Sequence, residues 1–436
     1  MRTIDKKIGF ISLGCDKNRV DLEKMIANIR QAGFDVTSDI SQANVVIINS
    51  CSFIEPARVE TINAILNTSH AGIKALEKII VTGCINEMHY TDLQEALPEV
   101  SKFVRVKDND NIVNIIYELY NDKAEVTNRY NPLLRSITTP SHYAYLKIAD
   151  GCDNFCSYCK IPYIRGRYAS VKLDDIVQEA RALVAMGAKE LILVAQDVTN
   201  YGVDFKDGTN IVTLIRALSK IEGLNWIRLL YCYPERITEE LIQEIKNNPK
   251  VCKYLDIPLQ HINNDILQSM NRHNSKEKIV ALIEHLRSEI PDIALRTTFI
   301  VGLPGEDVAK FRELKQFVQD YKLTYVGFFA YSREEGTRAY NFNNQVSEAV
   351  KTKRLKEISE IQFANVIEYN KSQIGKVYSV VVDEIIDGVA TTRSKYQNPE
   401  SDNVILVDVD DSVQIGDYLD VKIVDYIDYD FKGERL

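Results

Sequence analysis

The chain has 436 residues, 45% hydrophobic and 26% charged, an ordinary composition for a folded protein of about three domains. Disordered, collagen-like and small disulfide-scaffold classes are excluded, and no apolar run approaches the ~20 residues that a bilayer span needs. The first eight residues carry charge where a signal peptide needs its apolar core, so a cytoplasmic location is expected. The net charge of −9 is uneven: from residue 376 onward there are 6 Lys+Arg against 14 Asp+Glu, which leaves the rest of the chain nearly neutral.

Residues 1–120 alternate strand and helix patterns. Three short β-branched runs, Ile8-Gly-Phe-Ile-Ser-Leu-Gly14, Asn44-Val-Val-Ile-Ile-Asn-Ser50 and Lys78-Ile-Ile-Val-Thr-Gly83, end in small residues. Each is followed by a cysteine: Cys15, Cys51 and Cys84. Helical patterns over 19–31 and 55–68 follow the first two clearly, and the third less clearly; a further helix is expected over 110–120. These are βα units of an open parallel sheet, with the cysteines just past the carboxyl ends of three strands. Open α/β sheets place ligands at that edge. A single cysteine there is usually an inert core residue, and coincidence remains the alternative for all three.

A polar stretch with Pro132 and Pro140 marks a linker over 121–142. From 143 to 371 strands are expected over 145–149, 190–195, 226–230, 254–258, 293–301 and 325–330. Helices are expected over 172–186, 239–246, 276–289 and 307–321. This repeat predicts a full or partial (β/α) barrel, with Cys152, Gln196, Asp197, Pro234, Glu235, Gln260, His261 and the turn 302–306 beyond strand ends, where such barrels keep active sites. A long helix over 347–371 closes the region. Residues 372–436 carry strand patterns over 378–382, 404–409 and 418–424 and predict a small β-barrel. Its acidity opposes phosphate binding and suits a cationic partner, or else a solvated surface.

The loop Gly151-Cys-Asp-Asn-Phe-Cys-Ser-Tyr-Cys159 reads C-x3-C-x2-C. Disulfides are rare in cytosolic chains, so ligation is the leading role for Cys152, Cys156 and Cys159. Zinc structural sites want four ligands, and the nearest further candidate, His142, lies ten residues before Cys152. A four-iron cluster held by three thiolates leaves one iron open. A zinc loop completed from elsewhere, or three unrelated thiols, remain open alternatives. Cys232 and Cys252 read as packing residues.

This loop, with Tyr158 before the last cysteine, resembles the radical S-adenosylmethionine signature. Ser12-Leu-Gly-Cys-Asp-Lys-Asn18, Asn49-Ser-Cys51, Thr82-Gly-Cys84 and the C-terminal barrel extend the likeness to the methylthiotransferases over nearly the whole chain. Within that family the Asp-Lys-Asn start, the run from Ile148 to Arg167 and Ala195-Gln-Asp-Val-Thr-Asn-Tyr-Gly202 look like the RimO type, whose substrate is an aspartate of protein twelve of the small ribosomal subunit. The other branch modifies tRNA adenosine, and the acidic tail weighs against it. Leu22 departs from the serine usual in the family, at a position expected on the first helix.

The resemblance implies an N-terminal parallel α/β domain (1–120), a central partial radical-SAM barrel (143–371) and a C-terminal OB-like TRAM barrel (372–436). It implies S-adenosylmethionine and two four-iron clusters, one on Cys152, Cys156 and Cys159 and one on Cys15, Cys51 and Cys84. The target is an unactivated C–H that no side chain here could deprotonate, so a radical route is required and no catalytic side chain is expected beyond the cluster ligands. Tyr158, Gln196, Asp197, Gly302 and Pro304 are expected to contact the cofactor. Arg165, Arg167 and Arg296 are candidates to pair with carboxylates of cofactor or substrate, or else structural, and His261 is a candidate for a catalytic or, equally, a cap or core role. Expected partners are a basic ribosomal protein and a flavodoxin or ferredoxin; tRNA and membrane are not expected.

Overall fold

The computed structural model describes residues 5–88, 90–121 and 131–436, so part of the expected linker lies outside the described residues. In chain order the first region contains β1 (Lys7–Ser12), α1 (Asp16–Gln31), β2 (Asp35–Thr37), β3 (Val45–Ser50), α2 (Glu55–His70), β4 (Lys78–Gly83), α3 (Ile85–Met88), α4 (Tyr90–Ala96), β5 (Lys102–Phe103) and α5 (Ile112–Leu119). The five strands form a parallel sheet in the order β2-β1-β3-β4-β5. Every residue of β3 is buried, as expected of a strand covered on both faces. Met25, Ile26 and Ile29 of α1 and Ile112, Ile115 and Ile116 of α5 pack in one apolar cluster with Ile47 and Ile80. Ile65 of α2 and Leu93 of α4 pack in another with Val46, Ile48 and Val81. Leu22 sits on α1 and is buried, so its apolar side chain belongs to the core here.

The central region contains β6 (Tyr143–Lys147), β7 (Ala149–Asp150), α6 (Ile161–Ile164), β8 (Ala169–Ser170), α7 (Leu173–Ala185), β9 (Glu190–Val194), α8 (Ile211–Ser219), β10 (Trp226–Leu229), α9 (Glu239–Asn247), β11 (Val251–Asp256), α10 (Asn264–Ser269), α11 (Lys276–Glu289), β12 (Ala294–Val301), α12 (Val308–Tyr321) and β13 (Tyr325–Ala330). Six strands form a parallel sheet in the order β13-β12-β11-β10-β9-β6, each beside its predecessor in the chain. β6 and β13 are its two ends, so the repeat makes a partial barrel. The expected strand over 145–149 is corrected: β6 starts two residues earlier, and Ala149–Asp150 leave it for a small sheet with β8. The helix α8, capped by Asn210, was not expected from the sequence.

α13 (Glu348–Gln373) leads to the C-terminal strands β14 (Val377–Ile386), β15 (Val389–Ser394), β16 (Ile405–Asp408), β17 (Tyr418–Ile427) and β18 (Asp430–Arg435). They close into a barrel, β14-β15-β16-β18-β17, around Val380, Val382, Ile405, Val421, Ile423 and Phe431. β15 and β18 add to the three strands expected.

The described residues divide into two compact units. The first runs up to Thr138 and includes Asp150–Phe155 and Cys159–Glu179. The second comprises Thr139–Ala149, Cys156–Tyr158 and Ala180–Leu436.

Candidate metal and cofactor site

In the N-terminal sheet β1 and β3 are neighbours, and the chain winds from β1 toward β2 on one side and from β3 toward β4 on the other. The order therefore reverses between β1 and β3, which is where open α/β sheets form a crevice at their carboxyl edge. Cys15 follows β1 and immediately precedes α1, Cys51 follows β3, and Cys84 follows β4. Strand pairing carries all three to one edge: Leu13 N–H donates to Asn49 O at 2.9 Å, and Cys84 N–H to Ser50 O at 3.1 Å. A Cβ placed on Gly14 would lie 3.4 Å from Cys51 Sγ. Gly83 has φ +93°, and a Cβ there would overlap the Ser50 carbonyl oxygen, so the β4–Cys84 turn requires glycine.

The polar groups under these thiols are buried and connected. Asn18, in the first turn of α1, donates from Nδ2 to Ser50 O at 2.9 Å and to Leu13 O at 3.4 Å. Its own carbonyl accepts from Asn49 Nδ2 at 2.7 Å. Its Oδ1 accepts from the Cys84 thiol at 3.7 Å and from the Arg165 guanidinium. Asn18 thus ties the ends of β1 and β3 to the Cys84 sulfur. Burial pushes the Cys84 thiol up to about 11; Arg165 opposes the shift, and Cys15 and Cys51 add to it. Burial likewise raises Cys51, with backbone N–H groups opposing and Cys15 adding. The three sulfurs lie within electrostatic reach of one another, so three thiolates gathered there without a cation would repel. A donor set of this kind fits a cationic iron–sulfur centre. Among the described residues, no three His, Cys, Asp or Glu groups converge as they would round a single metal ion.

Of the second set, Cys152 and Cys159 lie in the first unit and Cys156 in the second. Cys152 is buried, with Asn154 Nδ2 at 3.5 Å from its sulfur, and Cys159 Sγ accepts from Ile161 N–H at 3.4 Å. Gly151 has φ +75°, and a Cβ there would overlap the Arg167 carbonyl oxygen. Cys156 is buried 3.9 Å from Tyr233 Oη and 4.0 Å from an Arg272 nitrogen, and Arg272 lies over the Tyr233 ring at 4.2 Å. Asn154, Tyr233 and Arg272 were not singled out from the sequence. Arg272 lies beyond a turn at Asn271, more than 100 residues from the loop it meets, and no local spacing reveals it.

In the second unit Tyr158 packs with Ile266, Met270, Leu303 and Tyr331. Gln196 and Asp197 follow β9, and Gly302 and Pro304 follow β12, so four of the expected cofactor contacts sit at carboxyl strand ends. Asp197 is engaged by protein: Arg236 lies at 2.6 Å from Oδ2, and Oδ1 accepts from Thr199 at 2.7 Å. Gly302 N–H donates to Glu306 Oε2 at 2.9 Å. His261 is fully buried beside Glu306 and accepts from Asn263 N–H at 3.0 Å, which makes it a loop cap. Arg296 meets the chain's own carboxylates, Asp256 at 3.1 Å and Asp402 at 3.3 Å. Arg167 is exposed and pairs with Asp153. Cys232 and Cys252 are buried core residues, as the sequence suggested.

A parallel sheet with three cysteines at its carboxyl edge is followed by a six-stranded partial barrel whose first loop carries three more, the framework of an α/β enzyme with its candidate site at strand ends. The radical SAM superfamily model matches residues 146–318, the TRAM domain model 374–436, and that of an uncharacterised family, UPF0004, 7–105. The chain is 44% identical over 435 residues to the ribosomal protein uS12 methylthiotransferase RimO of Thermoanaerobacter sp. (strain X514), covering 98% of this chain and 100% of that one. It is 45% identical to the protein of the same name from Clostridium kluyveri, covering 98% and 97%. The chain therefore belongs to the RimO family and is a radical SAM methylthiotransferase. In fold it is similar to the radical S-adenosylmethionine methyltransferase TsrM from Kitasatospora setae, with a TM-score of 0.55, 15% identity and 75% of each chain covered.

Proposed function

We propose that this enzyme adds a methylthio group to the β-carbon of an aspartate in ribosomal protein uS12. It would use two four-iron clusters and S-adenosylmethionine, one cluster on Cys152, Cys156 and Cys159 and the other on Cys15, Cys51 and Cys84. The observation that carries the two-cluster reading is the gathering of Cys15, Cys51 and Cys84 at one sheet edge over the buried Asn18 hub. When bound, the centres would supply one-electron reduction of S-adenosylmethionine and sulfur for the product.

The protein's share is binding, orientation and exclusion of water. Asn154 and the Ile161 N–H donate toward the sulfurs of Cys152 and Cys159, which favours the thiolate form that ligation needs. Arg272 supplies a cation beside Cys156. Tyr158, Gln196, Gly302 and Pro304 would line the cofactor, with Asp197 fixing that edge through Thr199 and Arg236. No membrane partner is invoked, and no helix among the described residues is long and apolar enough to cross a membrane.

The C-terminal barrel supports a basic protein as acceptor rather than tRNA. Asp387, Asp408, Asp410, Asp411, Asp420, Asp425 and Asp428 are all exposed on it. Such a surface attracts a cationic protein and repels phosphates. A flavodoxin or ferredoxin would deliver the electrons. The test is mass spectrometry of ribosomal proteins from a strain lacking this gene. Loss of one methylthio mass from uS12, restored by the intact gene, is expected. An unchanged uS12 with a tRNA methylthio group lost instead would overturn the proposal.

A further inference from the structure

The side chain of Arg165 is 3% exposed and belongs to the same unit as Cys15, Cys51 and Cys84. It follows α6, six residues after Cys159. One terminal nitrogen, Nη1, donates to Asp21 at 2.6 Å and to Asp150 at 3.1 Å. A purely structural ion pair would be complete with these two carboxylates. The other, Nη2, turns away from them: it donates to Asn18 Oδ1 and lies 3.9 Å from Cys84 Sγ. Asn18 is anchored by Leu13 O and Ser50 O, so it fixes where Nη2 points. The planar guanidinium fork can satisfy carboxylates on one edge and a sulfur on the other, which a lysine cannot do.

We propose that Arg165, steered by Asn18, is a positioning residue for the iron–sulfur centre on Cys15, Cys51 and Cys84, donating toward the Cys84 sulfur and holding that centre's reduction potential up. The inference rests on the proposed second cluster. Potentials of such clusters follow net charge and hydrogen bonds to sulfur. A buried cation beside a thiolate ligand favours the reduced, more negative state. The carboxylates of Asp21 and Asp150 moderate that effect and hold the guanidinium in place.

The test uses the full chain with Cys152, Cys156 and Cys159 all changed to alanine, so that only the second centre loads. The reconstituted protein is titrated with dithionite and followed by electron paramagnetic resonance. Arg165→Gln is expected to lower the reduced-to-oxidised ratio at a fixed poise about tenfold, a shift of about 59 mV for a one-electron couple. Arg165→Lys, which keeps the charge and loses the fork, should fall between wild type and Gln. Asp21→Asn should move the potential the other way, and by less when Arg165 is already Gln. If Arg165→Gln fails to fold by circular dichroism, Asp21→Asn and Arg165→Lys decide the matter. A loaded centre whose potential is unmoved in Arg165→Gln, or variants that all shift in one direction, would overturn the proposal. If the triple-alanine chain binds no iron, it is the two-cluster reading that fails.

Discussion

Glu190 is the first residue of β9 and is fully buried. It accepts from Arg228 Nε at 2.7 Å and also pairs with Arg393, and both guanidiniums are themselves buried. Arg393 comes from β15 of the C-terminal barrel, so Glu190 is the anion that neutralises two cations where barrel and core strands pack within the second unit. Removing one member of a buried charge group costs about 3–5 kcal/mol, because the partners stay desolvated and unpaired. Arg393 keeps Asp383 at 2.9 Å, and Arg228 keeps the Lys395 carbonyl at 3.1 Å, which limits the loss. Glu190→Gln should therefore destabilise the second unit by about 3 kcal/mol, at the lower end of that range.

The chain's one tryptophan, Trp226, lies 5.8 Å from the Arg393 guanidinium, so its fluorescence in a urea titration reports on this region. The pH dependence has a definite sign. Burial opposes ionisation of Glu190, but Arg228 and Arg393 outweigh it and hold the carboxyl below the usual glutamate range. Its stabilisation is complete above the ordinary glutamate value of about 4.3 and is lost as pH falls through the depressed one. Wild-type and Gln curves should converge in that acid window. Replacing Glu190, Arg228 and Arg393 together by apolar residues of similar volume should recover most of the loss. A Gln variant within about 0.5 kcal/mol of wild type at neutral pH would refute the reasoning.

Gly151→Ala should cost about 1–3 kcal/mol of local strain and lower the cluster content of the Cys152 loop, because the new Cβ meets backbone at Arg167 that cannot rotate away; unchanged iron content and melting temperature would sink this. Cys15→Ala, Cys51→Ala or Cys84→Ala should each cut iron from about eight to about four atoms per chain while S-adenosylmethionine cleavage persists. Cys152→Ala should give the same iron loss with cleavage abolished. Anaerobic iron analysis and a 5′-deoxyadenosine assay separate the two patterns.

The strand-end cysteines were legible because one local signal repeats. A β-branched run ending in small residues and then a cysteine specifies a parallel strand, its carboxyl end and a helix start, whatever lies elsewhere in the chain. β2 was not legible, since Asp35–Thr37 is three residues long at a sheet edge, too short for its alternation to stand out. β15 and β18 were missed for another reason. Val389–Ser394 and Asp430–Arg435 are rich in polar residues, and β18 exists because it pairs with both β16 and β17 to close the barrel, a non-local condition.

The same division runs through the site. The proposed ligands announce themselves by spacing, whereas the groups beside them do not. Asn18 ends the Ser12–Asn18 run without a chemical signature of its own, and Arg165 is one arginine among several in the sequence. Their pairing spans 147 positions. A short polar side chain in a first helical turn reads locally as a solvated end. Only the strand order, with its reversal between β1 and β3, brings Asn18 under Cys84 and leaves its amide to be satisfied by Ser50 and Leu13. Once that amide is fixed, its oxygen has a single direction to offer, and a guanidinium arriving from the segment after Cys159 meets it beside the sulfur. The strand-end position of each cysteine is therefore readable from a local run of residues, while the Asn18–Arg165 contact beside Cys84 depends on topology.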